Sequence, residues 1–258
     1  TFIKIQFLDY DTNHLFCSFQ SCRIFNVWRN FGGIMTYLTY NKNKILLFAT
    51  LIIMFVNLWT IIYLAPMIPD QEWAQRIFYY HVPLAWNAFL GYFGVMIFSI
   101  TYLISRNTKW DVLAQAAAEV GTIFCLLILI TGPIWAKPIW GKAWTWEPRL
   151  TTTLILFLLF IGYFMIREFG GPYERSSRYA AVIGILASID IPIIYYAVDF
   201  WSPQVQSHPQ RDMGGHASAV MQVFYFSLFT FTLIFVNMMR YRSHVRKMEL
   251  LKLEEENV

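Results

Sequence analysis

The chain is poor in charge. Lysine, arginine, aspartate and glutamate make up only 14% of its 258 residues, whereas 57% are hydrophobic and 19% aromatic. That balance excludes an ordinary soluble globular domain. Cysteine is scarce: Cys17 and Cys22 are spaced C-x4-C, and Cys125 falls inside an apolar run, where it reads as a small buried apolar residue. No metal-ligand pattern results. There is no C-x-x-C-H, so the chain is not itself a c-type cytochrome. There is no G-x4-G-K-[ST] loop, so it does not hydrolyse ATP, and no nucleophile–base arrangement is legible. The chain reads as a non-enzyme. No clean signal peptide opens it. The net charge of +4 carries no nucleic-acid signature; its meaning lies in its distribution across a membrane.

Long apolar runs are what the chain does have. A bilayer core of about 30 Å takes about 20 helical residues to cross. Continuous rather than alternating hydrophobicity favours helices over a β-barrel. Six runs meet the requirement, at roughly 45–65, 83–104, 113–134, 149–166, 179–198 and 217–239. The expected fold is all-α: a polytopic membrane protein with six transmembrane helices. It divides into an N-terminal cytoplasmic segment (1–43), a six-helix membrane domain (44–240) with an external Trp-rich loop (135–148), and a cytoplasmic tail (241–258). Residues 1–34 read as an extension upstream of a start at Met35, or as an amphipathic tail. Pro83 and Pro148 suit the first turns of helices, where a missing N–H costs nothing.

Six spans place both termini on one side. Only Arg76, Lys137, Lys142, Arg149 and Arg211 fall in the alternate loops; the other fifteen of twenty lysines and arginines lie with the termini. By the positive-inside bias both termini are cytoplasmic. Residues 135–148, His81 and the 199–216 loop then face outward. Glu119 and Asp190 lie within spans, where a charge must be paired, protonated or turned inward. Interhelical hydrogen bonding is the preferred account of both, with Asp190 placed to cap a distortion at Pro192. Gly91 and Gly94 read as a close-packing face.

Residues 135–151 read WAKPIWGKAWTWEPRLT. Trp135, Trp140, Trp144 and Trp146 crowd one stretch between two spans, interleaved with Lys137, Lys142 and Arg149. Such a cluster is either an interfacial aromatic belt or a flat apolar platform rimmed by cations. The platform would suit a large planar ligand carrying carboxylates, such as haem. Trp-x3-Trp-x-Trp, shaped by Pro138 and Gly141, exceeds what a belt needs and favours the platform.

The run Trp140-Gly141-Lys142-Ala143-Trp144-Thr145-Trp146-Glu147-Pro148-Arg149-Leu150-Thr151 resembles the signature WGxxWxWDxRLT of the CcmC/CcsA haem-handling family of cytochrome c assembly. Its RLT ending is that of the CcmC branch; Glu147 stands where the family commonly has Asp. Tyr80-His81-Val82-Pro83 matches the family's HVP motif, which carries an external haem-ligand histidine. The family's second histidine follows the fifth span in a W-x3-HP pattern. Here Trp201 is followed by His208-Pro209 at a spacing three residues longer, which makes His208 the choice and His216 the fallback.

The resemblance covers about residues 45–245 and implies haem b on the outer face, with His81 and His208 as axial ligands of the iron. Trp135, Trp140, Trp144 and Trp146 would support the ring. Lys142 and Arg149, with Lys137 and Arg76 as further candidates, would pair with propionates. It also implies delivery to the periplasmic haem chaperone CcmE, within a complex containing the ABC-type subunits CcmA and CcmB and the small subunit CcmD. The expected location is the plasma (inner) membrane of a prokaryote, ahead of the mitochondrial inner membrane. Two other readings stay open: a b-type cytochrome, weak because no histidine lies mid-span, and a cofactor-free solute transporter using Glu119 and Asp190. His14 and His244 read as surface residues of the inner tails.

Overall fold

The computed structural model describes residues 41–67, 71–200 and 217–256. His14, Cys17, Cys22, Met35, Trp201, His208, Arg211 and His216 lie outside the described residues. Those described are almost wholly helical, with no strand among them, and include six helices long and apolar enough to cross a membrane. Helix α1 (Asn41–Trp59) widens into a π-helical turn, Thr60–Leu64, and ends at extended Ala65, the conformation favoured before proline. A 3₁₀ turn (Glu72–Ile77) leads directly into α2 (Phe78–Ser105). Then follow α3 (Thr108–Trp140), α4 (Pro148–Phe169), α5 (Tyr173–Ser188), α6 (Asp190–Phe200) and α7 (Ser218–Glu256).

The number and order of spans are those read from hydropathy, but several ends differ. Helix α2 starts at Phe78, so Pro83 lies inside it rather than in its first turn. Tertiary contacts explain the early start. Tyr79 is fully buried against Ile61 and Phe224, and Gln75 Nε2 donates to its hydroxyl at 3.0 Å. Helix α3 runs on through Pro133 and Pro138, so Trp135–Trp140 form its last turns and only 141–147 are loop. A proline inside a helix removes one ladder bond and costs about 3 kcal/mol; burial of Trp135 against Phe78 and His81 works against that cost. The fifth span starts at Tyr173 and is interrupted at Ile189; Asp190, two residues before Pro192, opens the helix that follows. Helix α7 continues past the expected tail boundary to Glu256.

The bundle is built on α2 and α3, which pack closely because small residues line their contact. A Cβ on Gly91 would come within 3.0 Å of the Gly121 Cα. Around this pair Tyr92 stacks on Phe160 of α4 at 3.9 Å, and Phe124 meets Phe235 of α7 edge-on. Cys125 is buried in the same cluster. Helix α1 turns Ile45, Phe48, Ile52 and Phe55 outward, as lipid-facing residues would be. Three polar rungs tie it to antiparallel α7: Asn57 Nδ2 to Ser227 Oγ (3.0 Å), Asn237 Nδ2 to Thr50 Oγ1 (2.7 Å) and Arg240 Nη2 to Asn43 Oδ1 (3.0 Å).

Charge is concentrated at the end of the bundle holding the α2–α3 turn. Asp111, 2% exposed, accepts from Arg167, from the Tyr173 hydroxyl at 2.7 Å and from Ser177 Oγ at 3.2 Å. Glu119 accepts from Arg242 and Arg246 of α7, and Arg246 also reaches Glu249. Glu119 thus makes the interhelical hydrogen bonds expected of it, and because its partners are arginines they are also ion pairs. His244, half-buried on α7, is not the open surface side chain that a solvated tail would give.

Candidate functional site

At the opposite end, His81 sits just past the first turn of α2, 8% exposed. It faces Thr131, Gly132 and Trp135 of α3, which the i, i+1, i+4 spacing places on one helix face. Its Nδ1 lies 2.9 Å from Thr131 Oγ1, and its ring centroid 5.7 Å from that of Trp135. A Cβ on Gly132 would be 3.3 Å from the imidazole Cε1, so glycine leaves the ring its space. Trp135 is 6% exposed and tilts against Phe78 and Trp140 as well.

Gly141 ends α3 in the left-handed conformation (φ 74°), with its N–H donating to Lys137 O at 3.0 Å. Glycine suits that position because a Cβ is strained there. The chain turns back over the helix end, and Glu147 precedes Pro148, which opens α4 as anticipated. The turn closes a pocket lined by His81, Gly132, Trp135, Ala136, Trp140, Lys142, Ala143, Thr145, Glu147 and Leu150. The space it borders is about 430 Å³, open solvent at its mouth included.

Four of the residues expected at the site, His81, Trp135, Trp140 and Lys142, thus line one pocket. Trp144 and Trp146 stand beside it as an edge-to-face pair at 5.7 Å, Trp146 being 76% exposed. Arg149, second residue of α4, is near enough to His81 to act on it electrostatically without lining the pocket. Arg76 is committed elsewhere: its Nη1 donates to the carbonyls of Ile61 and Ala65, the latter at 2.8 Å, and its guanidinium lies over Trp73. It clamps the π-helical end of α1 and is not a rim cation of this pocket. Lys137 is exposed outside it.

Thr131 and Gly132 were not singled out by the sequence, and Thr145 and Leu150 stood in the signature without a site role. Thr131 and Gly132 look like ordinary span residues unless α3 is continued past Pro133, whereupon Thr131 and Trp135 fall on one face.

The pocket has the chemistry of a site for a planar, carboxylate-bearing ligand. It offers aromatic walls, an imidazole, and Lys142 at its margin. The buried Trp135 indole N–H has no acceptor among the described residues.

The family model described as Heme exporter protein C (CcmC) matches residues 31–256. Heme exporter protein C of Bradyrhizobium diazoefficiens is 36% identical over 194 residues, covering 74% of this chain and 73% of the relative. A ccmC-like mitochondrial protein of Marchantia polymorpha, named for cytochrome c biosynthesis, is 33% identical over 192 residues (73% and 80%). Heme exporter protein C of Paracoccus denitrificans is 32% identical over 193 residues (73% and 80%). With a six-span membrane fold and a model match across nearly all of its described residues, the chain belongs to the Heme exporter protein C family.

Proposed function

We propose that the protein carries haem b for cytochrome c maturation, holding it at the outer face of the membrane and delivering it to a periplasmic haem chaperone. The observation that carries this reading is the convergence of His81, Trp135, Trp140 and Lys142 on one pocket at one end of the bundle. His81 supplies one axial ligand to the iron. The tryptophans support the ring, and Lys142 and Arg149 pair with the propionates, as charge-assisted contacts to carboxylates do.

His208 supplies the second ligand, with His216 the fallback. Support comes from how the flanking helices run. Helix α5 is antiparallel to α2: a Cβ on Gly184 would meet Val95, and Ser188 Oγ donates to Tyr92 O at 2.9 Å. Continuing through α6 for 11 residues adds about 16 Å, the rise between Tyr92 and His81. Phe224, near the start of α7, packs on Phe78 at 5.3 Å. The chain between α6 and α7 therefore leaves and rejoins the bundle at the His81 end.

Both termini are cytoplasmic, by the distribution of lysine and arginine. The protein lies in a plasma (inner) membrane and works with CcmA, CcmB, CcmD and the chaperone CcmE, as a carrier rather than an enzyme. The solute-transporter alternative loses support because Glu119, offered as its pathway acid, is bound by Arg242 and Arg246.

The test is an absorption spectrum of the protein purified after expression with added haem, oxidised and reduced. Wild type is expected to show the bands of a six-coordinate bis-imidazole haem. His81→Ala and His208→Ala each lose them, and His244→Ala keeps them. Loss with His81→Ala alone would move the second ligand to His216. Haem absent from every sample would overturn the reading.

A further inference from the structure

An imidazole binds a metal through whichever nitrogen lacks a proton, so the tautomer of His81 decides which atom can coordinate. The hydrogen-bond geometry around Thr131 bears on that choice. The Thr131 hydroxyl has one proton, and Oγ1 donates it to Leu127 O at 2.8 Å, the common back-bond of a helical threonine. With the proton so placed, its contact with His81 Nδ1 at 2.9 Å runs the other way, with Nδ1–H donating and the hydroxyl oxygen accepting. Among the described residues Nε2 makes no hydrogen bond, which leaves its lone pair for a ligand. Gly132 and Trp135 hold the ring from the same helix face: a Cβ at Gly132 would sit 3.3 Å from Cε1, and Trp135 packs at 5.7 Å.

We infer that Thr131 is a positioning residue: it holds His81 with its proton on Nδ1, so that Nε2 is the coordinating atom. Neutral imidazole ligands depend on such a partner for orientation and basicity. This deepens the function proposed above and rests on it only where haem is concerned; the tautomer itself exists without haem.

The test is nitrogen NMR of the full-length protein in detergent without haem, labelled with ¹⁵N-histidine. The His81 signals are assigned by their loss in His81→Ala. The wild type is expected to show protonated Nδ1 and bare Nε2. Thr131→Ser, which keeps the hydroxyl, retains that signature. Thr131→Val, which keeps the shape, loses it. In parallel, Thr131→Val is expected to retain haem about tenfold to a hundredfold less tightly, the range for losing an outer partner of a metal ligand. Thr131→Ser is expected to stay near wild type. A folded Thr131→Val with an unchanged His81 tautomer would overturn the inference, as would a wild type with its proton on Nε2. If no sample retained haem, the proposed function would fail while the nitrogen shifts still decided the role of Thr131.

Discussion

Trp135 is as buried as the core of the bundle, yet it carries an N–H that no described residue accepts. A side chain kept only for its apolar surface would not need that group. Trp135→Phe keeps a ring against His81 and Phe78 but removes the donor. It is expected to leave helicity unchanged and weaken haem retention by roughly 1.5–3 kcal/mol, the worth of a hydrogen bond to a charged group; equilibrium haem transfer to an acceptor protein measures this. Gly132→Ala is expected to disturb the site by another route. Its methyl would press on the His81 Cε1, displacing the imidazole and broadening or shifting the haem bands in a spectrum. His81 was legible in the sequence because it sits beside Val82-Pro83 in a familiar motif, and Trp140 and Lys142 because they lie in a dense signature. Thr131 and Gly132 were not, since their importance depends on facing His81 across 50 residues of chain. Nor did composition reveal that Arg76 would be consumed by backbone carbonyls of α1.

At the scale of elements, hydropathy located all six spans because each must bury a continuous apolar run. It misplaced their ends because tertiary contacts set those. Helix α3 spans 33 residues, about 50 Å, well beyond the hydrocarbon core. Its extra turns carry Trp135 and Trp140 to the pocket. Helix α7 overruns at the other end, and its C-terminal half is held by Glu119 through Arg242 and Arg246. Removing one side of such a buried pair strands the other. Glu119→Ala is therefore expected to destabilise the protein by about 3 kcal/mol or more, with the haem spectrum of the surviving fraction unchanged. A thermal melt in detergent, followed by haem absorbance and by circular dichroism, separates the two effects. The rungs between α1 and α7 act more weakly. Asn57→Leu is expected to cost about 0.6 kcal/mol, the average for hydrogen bonds between membrane helices, and the same melt would register it as a small shift.

The whole molecule is polarised. One end holds the ion pairs of Asp111 and Glu119, the other the aromatic pocket and His81. Such a division suits a protein fixed on its cytoplasmic side and exposing a ligand site on the other. The topology can be read in intact cells by cysteine labelling. A cysteine replacing Lys142 is expected to react with an impermeant maleimide from outside, and one replacing Arg106 only after the membrane is opened; the reverse would invert the orientation. The central claim is that haem sits on the pocket at this end with His81 Nε2 on its iron. A structure of the haem-loaded protein tests that most directly. The account predicts iron coordinated by His81 Nε2, with the macrocycle against Trp135 and Trp140. Haem buried among the mid-membrane residues, or on a surface that does not include His81, would contradict it.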